Sequence, residues 1–157
     1  MEHVISVLVE NRFGVLAHIA GMFSGRGFNI DSLAVGETED PSVSRMTIVV
    51  RGDDKIVQQI LKQLNRQVDV IKVEDLAQEK FIARELMLLK VETTAKNRGE
   101  IIEIADVFRS KIVDVQQKSV TIEASGSGEK LNALLDLLRG YGVKELVRTG
   151  RIGIARG

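Results

Sequence analysis

The sequence contains no cysteine, which excludes disulfides, thiolate metal sites and a cysteine nucleophile. Aromatic side chains make up 4% of the chain, and the apolar strand candidates Val4–Val9 and Met46–Val50 carry none. Base stacking on an exposed sheet, as an RNA-recognition module needs, is therefore not expected. Charge of one sign is also missing: Lys plus Arg and Asp plus Glu number 22 each, so no long-range field favours nucleic acid or an anionic membrane. No run approaches the roughly 20 apolar residues of a membrane span. The opening MEHVISVLVENRF is too short in its apolar part for a signal peptide and lacks a basic leader, so a cytoplasmic location is expected. The one proline, Pro41, lies in Glu37–Ser42 and marks a hairpin loop there.

What is present is a chain of 157 residues, 44% apolar and 28% charged, enough for one domain or two small ones. It is organised around Val9–Asp31, VENRFGVLAHIAGMFSGRGFNID. A strand ends at Val9, a polar turn follows, and Val15, Leu16, Ile19, Ala20 and Phe23 recur at the spacing of an amphipathic helix starting near Gly14. Gly25 and Gly27 stop that helix. Its first turn offers unpaired N–H groups and partial positive charge, suited to a carboxylate or phosphate. Asn11 and Asn29 flank the helix and could offer amides to a small polar ligand. Both are also ordinary turn residues, and from the residues alone the turn role is favoured.

His3–Val9 is apolar on both faces, as in a strand covered on two sides or meeting a partner chain. Phe28–Gly36 reads as a strand with a bulge between Ile30 and Leu33, and Arg45–Arg51 as another. Asp53 or Asp54 caps a helix with Ile56, Val57, Ile60, Leu61 and Leu64 inward, and Val68–Val73 is a fourth strand. The order βαββαβ is that of a ferredoxin-like unit. After a connector, Glu74–Ala83, the order repeats: strand Glu85–Glu92, helix Arg98–Ser110, strands Ile112–Val115 and Val120–Ala124, helix Lys130–Arg139, and Val143–Arg148 as the last strand. The expected fold is α+β, two tandem ferredoxin-like units, with domains 1–76 and 84–157 and a linker at 77–83. A faint repeat sets Asn97-Arg98, Gly99, Ile104, Ala105 and Phe108 against Asn11-Arg12, Gly14, Ile19, Ala20 and Phe23; Asp114 stands where Asn29 would be. Units this small bury little core alone, so pairing is expected.

No catalytic constellation emerges. Gly25-Arg26-Gly27 follows a helix and opens a strand, the wrong order for a dinucleotide loop. Gly126-Ser127-Gly128-Glu129-Lys130 lacks phosphate-loop spacing, and the serine of Gly21–Gly25 is misplaced for a nucleophile elbow. His3 and His18, the two histidines, have no partners at metal-ligand spacing.

The runs SVLVENRFGVLAHIAGMFSGRGFNIDSL and ETEDPSVSRMTIVV, with DDKIVQQILKQLNRQVDVIKVEDL and the ending RTGRIGIARG, closely resemble the acetolactate synthase (acetohydroxyacid synthase) small regulatory subunit family, whose N-terminal half is an ACT domain. The resemblance covers almost the whole chain. It implies a non-catalytic subunit that activates a separate large subunit and confers feedback inhibition by valine in branched-chain amino-acid synthesis. Thiamine diphosphate, magnesium and FAD are expected on that large catalytic subunit and no cofactor or metal on this chain. The resemblance further implies at least a homodimer of ACT domains with valine between them. Asn11, Gly14, Val15 and Leu16 would line the site from one chain, and Asn29 and Ile30 from the other. The alternative is a stand-alone amino-acid sensor acting on another enzyme or a transcription factor, though no residues are left over for a DNA-binding helix.

Overall fold

Strand β1 (Glu2–Glu10) is the centre of the first unit. Around it run α1 (Val15–Gly25), β2 (Ile30–Glu37), β3 (Val43–Arg51), α2 (Asp54–Asn65) and β4 (Val70–Asp75), followed by a 3-10 turn at Leu76–Gln78. The second unit has β5 (Phe81–Glu92), α3 (Arg98–Val107), β6 (Lys111–Val115), β7 (Ser119–Gly126), α4 (Gly128–Leu138) and β8 (Val143–Arg148); a final strand, β9, spans Ile152–Ala155. This computed structural model describes residues 1–157. It shows an α+β fold in which the βαββαβ order occurs twice, with antiparallel sheets ordered β2-β3-β1-β4 and β6-β7-β5-β8. No helix is long and apolar enough to cross a membrane.

Alternation along β1 sends Ile5, Val7 and Val9 to the helix side, against Met46, Ile48 and Val50 of β3. Val15, Ile19 and Phe23 of α1 and Ile60 and Leu64 of α2 close this core, each buried side chain contributing about 1.5–3 kcal/mol. Phe23 meets Phe28 edge to face, with ring centres 6.2 Å apart. Asp53 caps α2, its carboxylate accepting from Ile56 N at 2.9 Å. Gly27, at φ +71°, takes the left-handed turn after α1 that other residues adopt at a cost. The bulge in β2 falls between Ile30 and Ser32.

The opposite face of the first sheet is also covered. Val4, Val49 and Leu76 form a small cluster there with Phe81 and Ala155. Its cover comes from β9, where Gly153 N donates to Thr47 Oγ1 (3.4 Å) and Arg156 N to Lys80 O (2.8 Å). Residues 151–157, expected with the C-terminal domain, group instead with the first unit, Met1–Ala83; Arg84–Gly150 forms the second. The stretch expected to be a connector is structured at both ends. β4 continues to Asp75, β5 starts at Phe81, and Val68, expected in β4, is 91% exposed in the preceding turn.

In the second unit Met87, Leu89 and Val91 of β5 pack with Val120, Ile122 and Ala124 of β7 under α3 and α4. α3 is shorter than its apolar pattern suggests: it ends at Val107, and Arg109 takes φ 54°. Ser127 caps α4, accepting from Lys130 N at 3.3 Å.

Candidate functional site

The turn from β1 into α1 is built by the hairpin loop between β2 and β3. Asn11 N donates to Ser42 O (2.8 Å), and the Asn11 side-chain amide donates to Pro41 O (2.8 Å) and Glu37 Oε1 (3.3 Å). Its Oδ1 accepts none of these bonds. Asp40 organises the loop, its Oδ1 accepting from Ser42 Oγ (2.7 Å) and Ser42 N (3.0 Å). The Ser42 hydroxyl and then the Ser42 N–H hold the Asp40 carboxyl below the usual aspartate range. The turn role of Asn11 uses its N–H atoms and leaves its carbonyl oxygen spare.

Gly14 precedes α1 at φ 85°, ψ −5°. A Cβ built on it would meet nothing within 4 Å, so the space over the start of α1 is open. No side chain caps this helix, and its first turn holds no acidic residue. Val15 N donates to Arg12 O at 3.3 Å, which leaves the N–H groups of Leu16 and Ala17 as the first-turn donors facing outward. Uncapped donors, helix dipole and open approach together suit a carboxylate. Val15 turns its side chain into the core at 5% exposure, whereas Leu16 is 46% exposed and offers the apolar surface. Phe13, beside Gly14, is fully exposed.

Asn29 and Ile30 lie at the other end of the sheet. Glu37 pairs with Ser44 near the Glu10 end of β1, but Ile30 pairs with Val50, which pairs with His3. At about 3.4 Å per residue, Ile30 is roughly 24 Å along the strand from Glu37. Within one chain, Asn11, Gly14, Val15 and Leu16 are brought together, and Asn29 and Ile30 are not. Sequence reasoning missed Glu37, Asp40 and Pro41 as the support of Asn11, although Asp40-Pro41-Ser42 carries the signal of a side-chain-capped turn.

Two family models match the chain: one described as the AHAS small subunit-like ACT domain over residues 5–72, and one described as the small subunit of acetolactate synthase over residues 84–157. A probable acetolactate synthase small subunit of Archaeoglobus fulgidus is 52% identical over 157 residues, covering 100% of this chain and 98% of the relative. The acetolactate synthase small subunit of Mycolicibacterium smegmatis is 50% identical, covering 99% of this chain and 91% of its own length. A crystal structure of the acetolactate synthase small subunit from Thermotoga maritima superposes with a TM-score of 0.91 at 41% identity, over 100% of this chain and 98% of that one. Matches of this identity and coverage, on a fold with the ACT arrangement in its first unit, establish that the chain belongs to the acetolactate synthase small-subunit family.

Proposed function

We propose that this chain is a non-catalytic regulatory subunit. It joins a thiamine-diphosphate-dependent catalytic subunit, which carries the thiamine diphosphate, magnesium and FAD, raises its turnover in the cytoplasm, and lets valine withdraw that gain. Valine's carboxylate takes the first-turn N–H groups of α1, and its ammonium takes Asn11 Oδ1. Its isopropyl group meets Leu16 of one protomer and Ile30 of its partner. Leucine and isoleucine differ by one methylene, worth about 1–3 kcal/mol, so partial cross-reactivity is expected.

The observation that carries this reading is the uncapped start of α1 at Gly14, with Asn29 at the far end of an edge strand. β2 has no neighbour on its outer side. Antiparallel pairing of β2 with β2 of a second copy runs the Asn29 end of one protomer toward the Glu37 end of its partner. Glu37 is bonded to Asn11, so two-fold pairing assembles the full residue set twice. This supports a homodimer as the sensing form.

The test is Gly14→Asp in a holoenzyme reconstituted with a cognate catalytic subunit. An aspartate at φ 85° costs about 1 kcal/mol of backbone strain. An acidic residue at a helix N-terminus returns about 0.3–1 kcal/mol. The fold and the activation should therefore survive, while the new carboxylate fills the ligand space and repels valine. Activation with valine inhibition weakened by about tenfold or more, the effect of losing one charge-assisted contact, is the expected outcome. Inhibition at unchanged valine concentrations removes Gly14 from the site.

A further inference from the structure

The second unit holds a pocket of about 340 Å³ at the end of its sheet, where β5 gives way to α3. Its chemistry differs from that of the α1 site. Lys118, from the turn between β6 and β7, and Lys144, from the start of β8, both line it, as does Glu92, the last residue of β5. Neither ammonium group nor the Glu92 carboxylate has an ion-pair or side-chain hydrogen-bond partner. At its inner wall Thr93 is 5% exposed, and its Oγ1 makes no hydrogen bond. A buried hydroxyl without a partner is costly, and two unpaired lysines lining the same pocket are the complement of an anion.

The walls are fixed by backbone bonds. Thr93 N donates to Lys118 O (2.9 Å), and Glu92 N donates to Gly142 O (2.8 Å). Arg98 Nη2 donates to Gln116 O (3.2 Å) and Gln117 O (2.7 Å), holding the turn that carries Lys118. Gly142 sits at φ +102°, and a Cβ there would come within 2.9 Å of Glu92 Oε2, so a larger residue would push the carboxylate out of its position. Thr94 N donates to Asn97 Oδ1 (2.7 Å) and Asn97 N to Thr94 Oγ1 (3.3 Å), closing the start of α3 and leaving the Asn97 amide N–H groups to spare. Tyr141, also on the wall, has its ionisation pushed up by burial and then by the Glu100 carboxylate, so it remains neutral at physiological pH.

Two ammonium groups and one carboxylate leave a single positive charge, which suits one ligand carboxylate group better than a dianionic phosphate. We propose that this pocket is a second binding site, for a small monocarboxylate bearing a hydrogen-bond donor next to the carboxylate, a 2-hydroxy or 2-amino acid. Lys118 and Lys144 hold the carboxylate, and Glu92 accepts from the adjacent hydroxyl or ammonium. The Asn97 counterpart of Asn11 in the sequence repeat thus serves a site lying within one unit of one chain.

The experiment is a residue-resolved amide NMR titration of the full chain with L-lactate, L-alanine and propionate, which share a skeleton and differ only in the donor. Saturable shifts at Thr93, Thr94, Asn97 and Lys118 with lactate, alanine or both, stronger than with propionate, support the site and name the donor. Lys118→Gln with Lys144→Gln, both on exposed side chains, should weaken that binding by about tenfold or more, as expected for losing charge-assisted bonds. Glu92→Gln should erase the preference for alanine over propionate. Propionate binding as well as the other two, unchanged affinity in the double lysine variant, shifts confined to Asn11–Leu16 and Asn29, or no saturable shifts at all would each overturn the proposal.

Discussion

Asn11 is tied through three N–H groups to one hairpin, and a single carboxylate, Asp40, holds that hairpin in shape. The geometry of the turn around Asn11 therefore depends on Asp40, a residue outside that turn. Because the folded-state ionisation of Asp40 is depressed by Ser42, its stabilising effect is fully present above the ordinary aspartate value. It is lost as pH falls through the lower folded value. Following the Ser42 amide by NMR across acid pH should give a midpoint below that of an unperturbed aspartate, and Ser42→Ala should raise it. A wild-type midpoint at the ordinary value would show that the loop does not depend on this carboxylate. At this scale the sequence was half legible. Gly14 followed from its place between a polar turn and an apolar helix, and it stands at positive φ with open space over it. Asp40-Pro41-Ser42 carries the local signal of a capped turn, but its bonds to Asn11 were not legible, because bonds between a turn and a distant hairpin leave no periodic trace.

Among the elements, β5 and β8 are joined by an exposed ion pair, Lys90–Glu145, and by a second, Arg148–Glu85, whose carboxylate is buried. Arg148 Nε donates to Glu85 Oε1 (2.7 Å), its Nη2 to Oε2 (3.0 Å), and its Nη1 to Asn132 Oδ1 of α4 (2.8 Å). Glu85 is 7% exposed, so removing the arginine strands a buried charge. Arg148→Ala should cost about 3 kcal/mol in denaturant unfolding, and adding Glu85→Leu should recover much of it. A loss below about 1 kcal/mol would place the pair among weak surface bridges. The helices were legible because α2 and α4 repeat leucine and isoleucine at helical spacing, with Asp53 or Asp54 as the cap of α2; the Ser127 cap of α4 was not singled out. The strand limits were less so. Val68 extends the apolar run of VDVIKV yet is exposed, and Phe81 and Ile82 follow Gln-Glu-Lys and read as linker until Leu76 and Val4 supply the surface Phe81 packs on. β9 escaped notice for a physical reason. In Ile152-Gly153-Ile154-Ala155 the small residues face inward and the isoleucines are 56% and 60% exposed, the reverse of the usual pattern.

At the scale of the whole molecule, chain order and compact units disagree, because residues 151–157 complete the first unit and not the second. Gly153 is what allows this. A Cβ there would come within 2.9 Å of Leu76 Cδ1 and 3.4 Å of Val4 Cγ1, so a larger residue would have to displace the Leu76 side chain to lie this flat on the sheet. Arg151 adds an ion pair to Glu2. Deleting residues 151–157 should uncover Val4, Val49 and Leu76 and lower the stability of the first unit by a few kcal/mol, given about 25 cal/mol per Å² of apolar area returned to water. The second unit, Arg84–Gly150, should be spared. The sequence supplies the means to tell them apart, since it holds one tyrosine, Tyr141, and no tryptophan, and Tyr141 belongs to the second unit. Tyrosine emission thus reports the second unit alone, while far-ultraviolet circular dichroism reports both. With two units a single melting temperature is not a well-defined quantity, so the two signals are compared separately. For the deleted chain, the dichroism transition should begin several degrees earlier, at roughly 4–8 °C per kcal/mol for a unit of this size, and the tyrosine transition should hold its temperature. If both transitions fall together, the tail stabilises the chain as one cooperative body. If neither moves, β9 lies on the sheet without contributing to its stability.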